Sequence, residues 1–315
     1  MSNFYTGSGT IAQFGKEATY GTLDDMSALI NLTSESLSLN VTKGDEGNLL
    51  ASKTATNRDL MAIDVDGSVS FILRPEFAGT LIQAALGGDD TVVQDGEFYN
   101  HTIKMCDPND DLPSLSITVD RKAATRAYTG CVISSLSLEC AAGDYVKGSF
   151  DVDGYDEVAG TVDTDITTYS LPSYRCTSAT FTVGGSSFDV SNVTLSLDNA
   201  LETAPRTYAS GLKSGEPKHG TRQLTVNFEI PYAANIETFK STYLTTETNA
   251  ALVLMFESST GYRITTSLPN VAITEVSNNV SGTGVINASI AGEALSVGSA
   301  EPITVVIRDK ESSAY

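Results

Sequence analysis

Two histidines, four cysteines and thirty-nine carboxylates are the residues of this chain best suited to chemistry. A Ser-His-Asp set needs a histidine held against a nucleophile on a sharp turn. His101 lies in a polar stretch, His219 lies in a Lys/Gly loop, and no GxSxG turn exists. Cys106, Cys131, Cys140 and Cys176 form no CxxC pair, so the spacing of a zinc site is missing. No GxxxxGK[ST] loop is present, and Gly184-Gly185-Ser186 suits a hairpin turn better than a phosphate cradle. Asp64-Val65-Asp66-Gly67 and Asp151-Val152-Asp153-Gly154 begin like calcium loops but lack the full ligand run and the closing Glu. The Asp89-Asp90 and Asp107 to Asp111 clusters offer adventitious calcium at most. Paired carboxylates for glycoside cleavage would be expected beside aromatic platforms, and the chain has no Trp. These patterns predict no enzyme, no cofactor and no metal.

The elements that hold these residues read as strands. Leu37, Leu39 and Val41 alternate with Ser36, Ser38 and Asn40. Val69 and Phe71 alternate with Ser68 and Ser70, Leu136 and Leu138 with Ser135 and Ser137. Val193, Leu195 and Leu197 alternate with Thr194, Ser196 and Asp198. Period two over such lengths predicts half-buried antiparallel strands with one wet face. Two stretches break it. Glu76 to Leu86 follows Pro75, ends at Gly87-Gly88 and puts Phe77, Leu81 and Ala84/Ala85 on one helical face. About Ala233 to Tyr243, after Pro231, places Ile236, Phe239 and Tyr243 on another, with Asn235 as a cap.

Both helices sit in the same context. The order strand, long polar loop, strand, helix, strand, strand, strand occurs twice, with an insert near Gly88 to Asp111 in the first copy. The expected organisation is a β domain at 1–155 with an N-terminal arm at 1–30, a polar linker at 156–174, and a second β domain at 175–315. The arm is rich in Gly, Ser and Thr, which suits ordering on assembly. The opening residues show no charged segment followed by an apolar run, so no signal peptide is expected, and no run reaches membrane-spanning length. Reduced thiols are expected, as in a cytoplasm. The formal net charge is −20. A chain so acidic does not hold nucleic acid by neutralising phosphates.

Gly15-Lys16-Glu17-Ala18-Thr19-Tyr20-Gly21-Thr22, followed by Glu35-Ser36-Leu37-Ser38-Leu39, resembles the opening of bacteriophage tail tube proteins of long-tailed phages. Asp64-Val65-Asp66-Gly67-Ser68-Val69-Ser70-Phe71 leading into Arg74-Pro75-Glu76-Phe77 continues the resemblance, as does Tyr128-Thr129-Gly130-Cys131-Val132 before Ser135-Leu136-Ser137-Leu138. The resemblance implies a mainly β fold: two tandem β-sandwich domains, each with one flanking α-helix, closing into a ring-shaped β-barrel on oligomerisation. It implies a structural virion protein whose rings stack into the tail tube, assembled in the host bacterial cytoplasm. Its partners would be further copies of itself, the tape-measure, tail-tip and terminator proteins, and DNA in passage, with no membrane insertion. Duplicated subunits of this kind give trimeric, pseudo-hexameric rings, with a hexamer as the alternative. A trimer carries three times −20, or −60, formal charges per ring.

Charge then assigns residues. Candidates for the bore are the polar halves of the strands: Ser36, Ser38, Asp64, Asp66, Thr194, Ser196 and Asp198. The loop Thr42 to Asp66 sets Lys43, Lys53 and Arg58 against Asp45, Glu46, Asp59, Asp64 and Asp66, a net of −2. The equivalent loop Asn199 to Arg222 sets Arg206, Lys213, Lys218 and Arg222 against Glu202 and Glu216, a net of +2. Opposite signs suit docking between neighbours, setting the register between subunits and rings. The competing readings are a monomeric β-sandwich binding or adhesin module, and another tail component such as a terminator.

Overall fold

The computed structural model describes residues 5–45, 57–204, 206–208, 211–232, 234–258, 261–278, 286–298 and 301–315. Glu46 and Lys53 of the acidic loop lie outside the described residues, as does the side chain of Asn235. The first half of the chain contributes β1 (Ile11–Lys16), β2 (Ala28–Ile30), β3 (Leu32–Glu35), β4 (Ser38–Gly44), β5 (Asp59–Ile72), α1 (Pro75–Leu86) and β6 (Gly87–Asp95). It continues with β7 (Phe98–Met105), β8 (Leu115–Asp120), β9 (Thr125–Ala141), β10 (Lys147–Gly154) and β11 (Asp156–Ala159). The second half contributes β12 (Arg175–Val183), β13 (Ser186–Ser187), β14 (Asn192–Asp198), β15 (Glu202–Ala204), β16 (Gly215–Lys218), β17 (Gln223–Pro231) and α2 (Ala234–Phe239). It ends with β18 (Ala250–Glu257), β19 (Arg263–Ser277), β20 (Asn287–Ala294) and β21 (Thr304–Asp309). The fold is mainly β, with two short helices and open sheets.

Most alternating residues do what their period dictates; along β4 the pattern fades, with Leu37 just before it buried, Leu39 half-buried and Val41 exposed, because β4 is an edge strand paired on one side among the described residues. Val69 and Phe71, Leu136 and Leu138, and Val193, Leu195 and Leu197 are all buried, while their polar neighbours face away from the core. Helix α1 starts with Pro75 in its first turn and stops at Gly87, which takes φ 77° and donates its N–H to the Gln83 carbonyl. Such a left-handed cap suits glycine because it carries no Cβ. Phe77 of α1 meets Phe71 edge-on at 5.5 Å and Phe14 at 6.4 Å. The second helix is shorter than its pattern: α2 ends at Phe239 and continues as a π-helical turn over Lys240–Leu244. Ser241 and Thr242 both turn their hydroxyls back onto the Thr238 carbonyl, which loosens a helical ladder. Phe239 still packs edge-on against Phe228, at 6.3 Å, as Phe77 does against Phe71.

One sheet runs through the whole subunit. Its strands lie side by side in the order β4, β5, β10, β9, β14, β17, β20, β19, every pair antiparallel. The first four come from the first half and the last four from the second, and they repeat the same order. The long strands β9 and β19 bend into a second layer. There the Thr125 end of β9 pairs with β8 and β11, and the Arg263 end of β19 pairs with β18 and β21. β11, the opening of the expected 156–174 connection, is thus a strand on β9. The remainder crosses β1 and α1, pinned by Gln13 to Asp163 and Ile166 and by Arg74 and Glu76 to Leu171. Within the 1–30 arm, β1 lies between β2 and β8, with Ala12 and Phe14 buried.

Candidate functional site: a polar sheet face, an internal seam and two open edges

Residues directly opposite in neighbouring strands point to the same side of a sheet. Following the partners across the long sheet therefore gives the composition of its wet face. One row reads Ser68, Asp151, Ser135, Asp198, Gln223, with Ser36 hydrogen-bonded to Ser68 at its end. The next reads Ser70, Ser149, Ser137, Ser196, Thr225, Glu293. The one after it reads Lys147, Glu139, Thr194, Asn227, Ala291, Glu275. Ser38, Asp66 and Asp153 form a fourth row, with Asp64 two residues from Asp66 on the same strand. All seven residues expected on the bore-facing side, Ser36, Ser38, Asp64, Asp66, Thr194, Ser196 and Asp198, share this face. Glu139, Asp151, Asp153, Glu229, Glu275 and Glu293 join them and are not among the expected bore-facing residues, Asp151 and Asp153 reading in the sequence only as a fragment of a calcium loop. Asp151 and Asp153 alternate with buried Phe150 and Val152, so the same period-two reading carried into β10 would have found them.

Within these rows Lys147 is the one cation among the described residues, and it is engaged by Asp144. Serine hydroxyls link neighbouring strands within the rows: Ser135 donates to Asp151 at 2.7 Å, and Ser137 and Ser196 meet at 3.2 Å. Asp66 and Asp153 are direct cross-strand partners, and like charges in that position repel. Burial, then Asp66, Asp151 and Asp64, hold the Asp153 carboxyl above the usual range. A folded-state value raised this way gives stability that is present at low pH and lost as pH rises through that value. Asp153→Asn is therefore expected to raise the melting temperature at pH 7 and to leave it unchanged near pH 3, measured by thermal scans at both.

The two halves meet at β9 and β14. On the core side Leu136 opposes Leu197, Leu138 opposes Leu195, and Cys140 opposes Val193. Asn199 then reaches the carbonyls of Ala85 and Ile133, and Arg222 that of Leu86, so second-half residues cap the end of α1. A second contact works as a clasp. The β6–β7 hairpin, built from the expected insert, pairs β7 with β21 from Tyr99↔Asp309 to Lys104↔Thr304. His101 sits inside this clasp at 0% exposure. Its Nδ1 is 2.6 Å from Asp90 and its Nε2 is 3.2 Å from Asp309 and 2.9 Å from the Glu311 carbonyl. Burial pulls its pKa down, but Asp90, Glu311 and Asp309 outweigh it and leave the pKa raised. The histidine thus staples the hairpin to the C-terminal strand, with the Tyr315 ring centred 4.5 Å from its own. His219 contacts Cys106 and the Asp110 carbonyl, at 3.8 and 3.1 Å.

The loops of opposite sign do meet, within one chain. Arg206 pairs with Asp64, Lys213 with Asp156 and Lys218 with Asp111. Ile63 donates its N–H to the Leu212 carbonyl at 2.9 Å. Arg222 is turned inward, onto Leu86 and Cys106. Lys43, Asp45, Arg58 and Asp59 are exposed at the last rungs of the β4–β5 pairing, where the two strands leave for their connection. No group of three or more metal-binding side chains occurs among the described residues, and none of their helices is long and apolar enough to cross a membrane.

The long sheet ends, among the described residues, without a partner strand on either side. Among the described residues, no strand pairs with the outer edge of β4, or with that of β19 past Val271. Unpaired edges invite pairing with another chain. A polar, acidic sheet face and two lateral edges left open among the described residues are features that suit a self-assembling structural β-protein. The chain matches the model of the phage tail tube protein family over residues 7–294, and it belongs to that family. It is accordingly a structural protein of the phage tail, and membership implies self-assembly into a tube. None of the curated proteins matches the sequence.

Proposed function

We propose that the subunit polymerises as stacked rings whose acidic sheet face lines a conduit for DNA ejection. The observation that carries this reading is the eight-strand face of Ser, Thr, Asn, Asp and Glu with one lysine in its rows. Phosphates passing such a wall meet repulsion from all sides and find hydroxyls too weak to hold them. The repeated four-strand order supports two tandem domains, 1–155 and 175–315, joined through 156–174. Two domains per chain support a ring of three chains that imitates six. At the ring's end, the β4–β5 hairpin with Lys43, Asp45, Arg58 and Asp59 is placed to meet the next ring. The basic loop, already paired to Asp64, Asp156 and Asp111, would brace that hairpin from behind. Tape-measure and tail-tip proteins occupy the tube's bore and starting end, the terminator its far end, and assembly takes place in the host cytoplasm.

Negative-stain microscopy of the concentrated protein, alone and with tail-tip complexes, tests this. Hollow rings or tubes with three-fold averages are expected. Subunits that stay monomeric even with tail tips present would overturn the reading in favour of a binding module.

A further inference from the structure

The internal seam gives the register of the seam between copies. Each strand of the first half has a counterpart in the second, fixed by the partners it shares. Val69 and Phe71 of β5 correspond to Val226 and Phe228 of β17, for both pairs are buried and both lead into a helix whose phenylalanine packs edge-on against the strand. Ser149 opposes Ser70 and Ser137, while Ala291 opposes Asn227 and Glu275, so Glu275 of β19 takes the place of Ser137 of β9. Likewise Val276 takes the place of Leu138, and Ile273 that of Leu136, with Thr274 as an extra bulged residue. On the other edge Ser36 is bonded to Ser68 as Ser196 is paired to Thr225, and Glu35 opposes Val69 as Leu195 opposes Val226. Leu37 then corresponds to Leu197.

We propose that the free β19 edge of one copy pairs with the free β3–β4 edge of the next in this inherited register: Ser36 opposite Glu275, Glu35 opposite Val276, and Leu37 opposite Ile273. The proposal rests on the tube reading and adds to it the partner residues. The occupant of each edge is a second copy of this chain, because the two edges are the unpaired ends of a module that has already joined itself once, at β9 and β14.

The two seams differ in composition, and the difference has a purpose. Where the internal seam buries Leu195 against Leu138, the outer one presents Glu35. Its carboxylate is gripped by Arg121 through Nε at 2.8 Å and Nη2 at 2.7 Å, and Arg121 also bonds Tyr128 and the Leu37 carbonyl. A charged pair on an edge keeps it soluble and slows indiscriminate pairing. The clasp also has no counterpart outside. The second half runs from its π-helical turn to β18 without an inserted hairpin, so among the described residues it has no counterpart of β7 to add to β11 as β7 adds to β21. The ring thus alternates clasped seams within chains and unclasped seams between them.

The test is disulfide trapping in a Cys106→Ser background, with diamide as the oxidant. The double variant Ser137→Cys/Ser196→Cys closes the internal rung, whose hydroxyls stand 3.2 Å apart, and reports that folded subunits oxidise within one chain. The double variant Ser36→Cys/Glu275→Cys is expected to give two-chain and three-chain covalent species on non-reducing gels once tubes form. The off-register variant Ser38→Cys/Ser277→Cys is expected to give none. Tubes that form normally while Ser36→Cys/Glu275→Cys stays uncrosslinked, or while the off-register variant crosslinks in its place, overturn the register and leave the tube reading intact. Absence of tubes for the unmutated chain with tail tips present overturns the tube reading itself.

Discussion

A subunit carrying Glu17→Ala is expected to be about 3 kcal/mol less stable than the wild type, a large loss for one polar side chain. Glu17 is 8% exposed and accepts four hydrogen bonds, each of 2.8 Å: from the N–H groups of Gly21 and Gly130 and from the hydroxyls of Ser114 and Ser116. Alanine leaves these buried donors without a partner, and each unmade bond costs more than the made one contributes. The loss also unties three elements at once, because Gly21 is in the loop after β1, Ser116 is on β8 and Gly130 is on β9. Gly21 and Gly130 both take positive φ, at 73° and 63°, where a side chain would be strained and would strike Tyr155. Urea denaturation measures the effect. Glu17→Gln, which keeps one acceptor oxygen and turns an amide against the remaining donors, is expected to lose somewhat less. A midpoint for Glu17→Ala within error of the wild type would show that the opening phrase has no structural role.

That phrase explains why the family resemblance is legible in the residues alone. Gly15 approaches the Asp25 carbonyl too closely for any side chain, Glu17 gathers the donors, and Tyr20 meets Tyr155 edge-on at 5.5 Å. Short-range constraints of this kind leave fixed letters in a sequence. So do alternation and helix ends, which is why the buried sides of β5, β9 and β14 and both ends of α1 are legible too. Strand order is not. Nothing near Cys140 announces that it will oppose Val193, or that Thr102 will oppose Val306, since each pairing joins residues far apart in the chain. Arg222 illustrates the same limit: a loop arginine reads as a docking charge, yet the fold draws it in to finish a helix. The second helix falls short of its apolar pattern for a local reason. Thr and Ser dominate its end, and their hydroxyls compete with the backbone for the same carbonyls.

Charge reversal on the polar face is expected to turn a non-adhesive tube into one that binds DNA. Asp66→Lys, Asp198→Lys and Glu229→Lys place one cation on each of β5, β14 and β17, spread across the face. Asp198→Lys gives up an exposed 2.8 Å bond from the Ala200 N–H and Glu229→Lys an exposed 3.4 Å bond from Ser289, so the fold is expected to survive the combination. Lys at 66 would stand opposite Asp153, replacing a repulsive cross-strand pair with an attractive one, and positions 198 and 229 sit beside Gln223 and Asn192. Each ring would gain several phosphate-binding groups, and successive rings would repeat them. Wild-type tubes should retain no short duplex DNA at low salt. Variant tubes should retain it, with an affinity that falls about a thousandfold or more between roughly 50 and 200 mM salt if six to ten phosphates are engaged. Co-sedimentation measures the binding, and a nuclease too large for the bore locates it, sparing DNA held inside and cutting DNA held outside. Virions built with the variant should eject their genomes about tenfold more slowly or worse, because the same contacts must be broken ring after ring. DNA bound in a nuclease-sensitive form would place this face on the outside of the tube. No binding at all would mean that the wall is inert for a reason other than its charge, and in either case the acidic lining would not be what lets DNA slide.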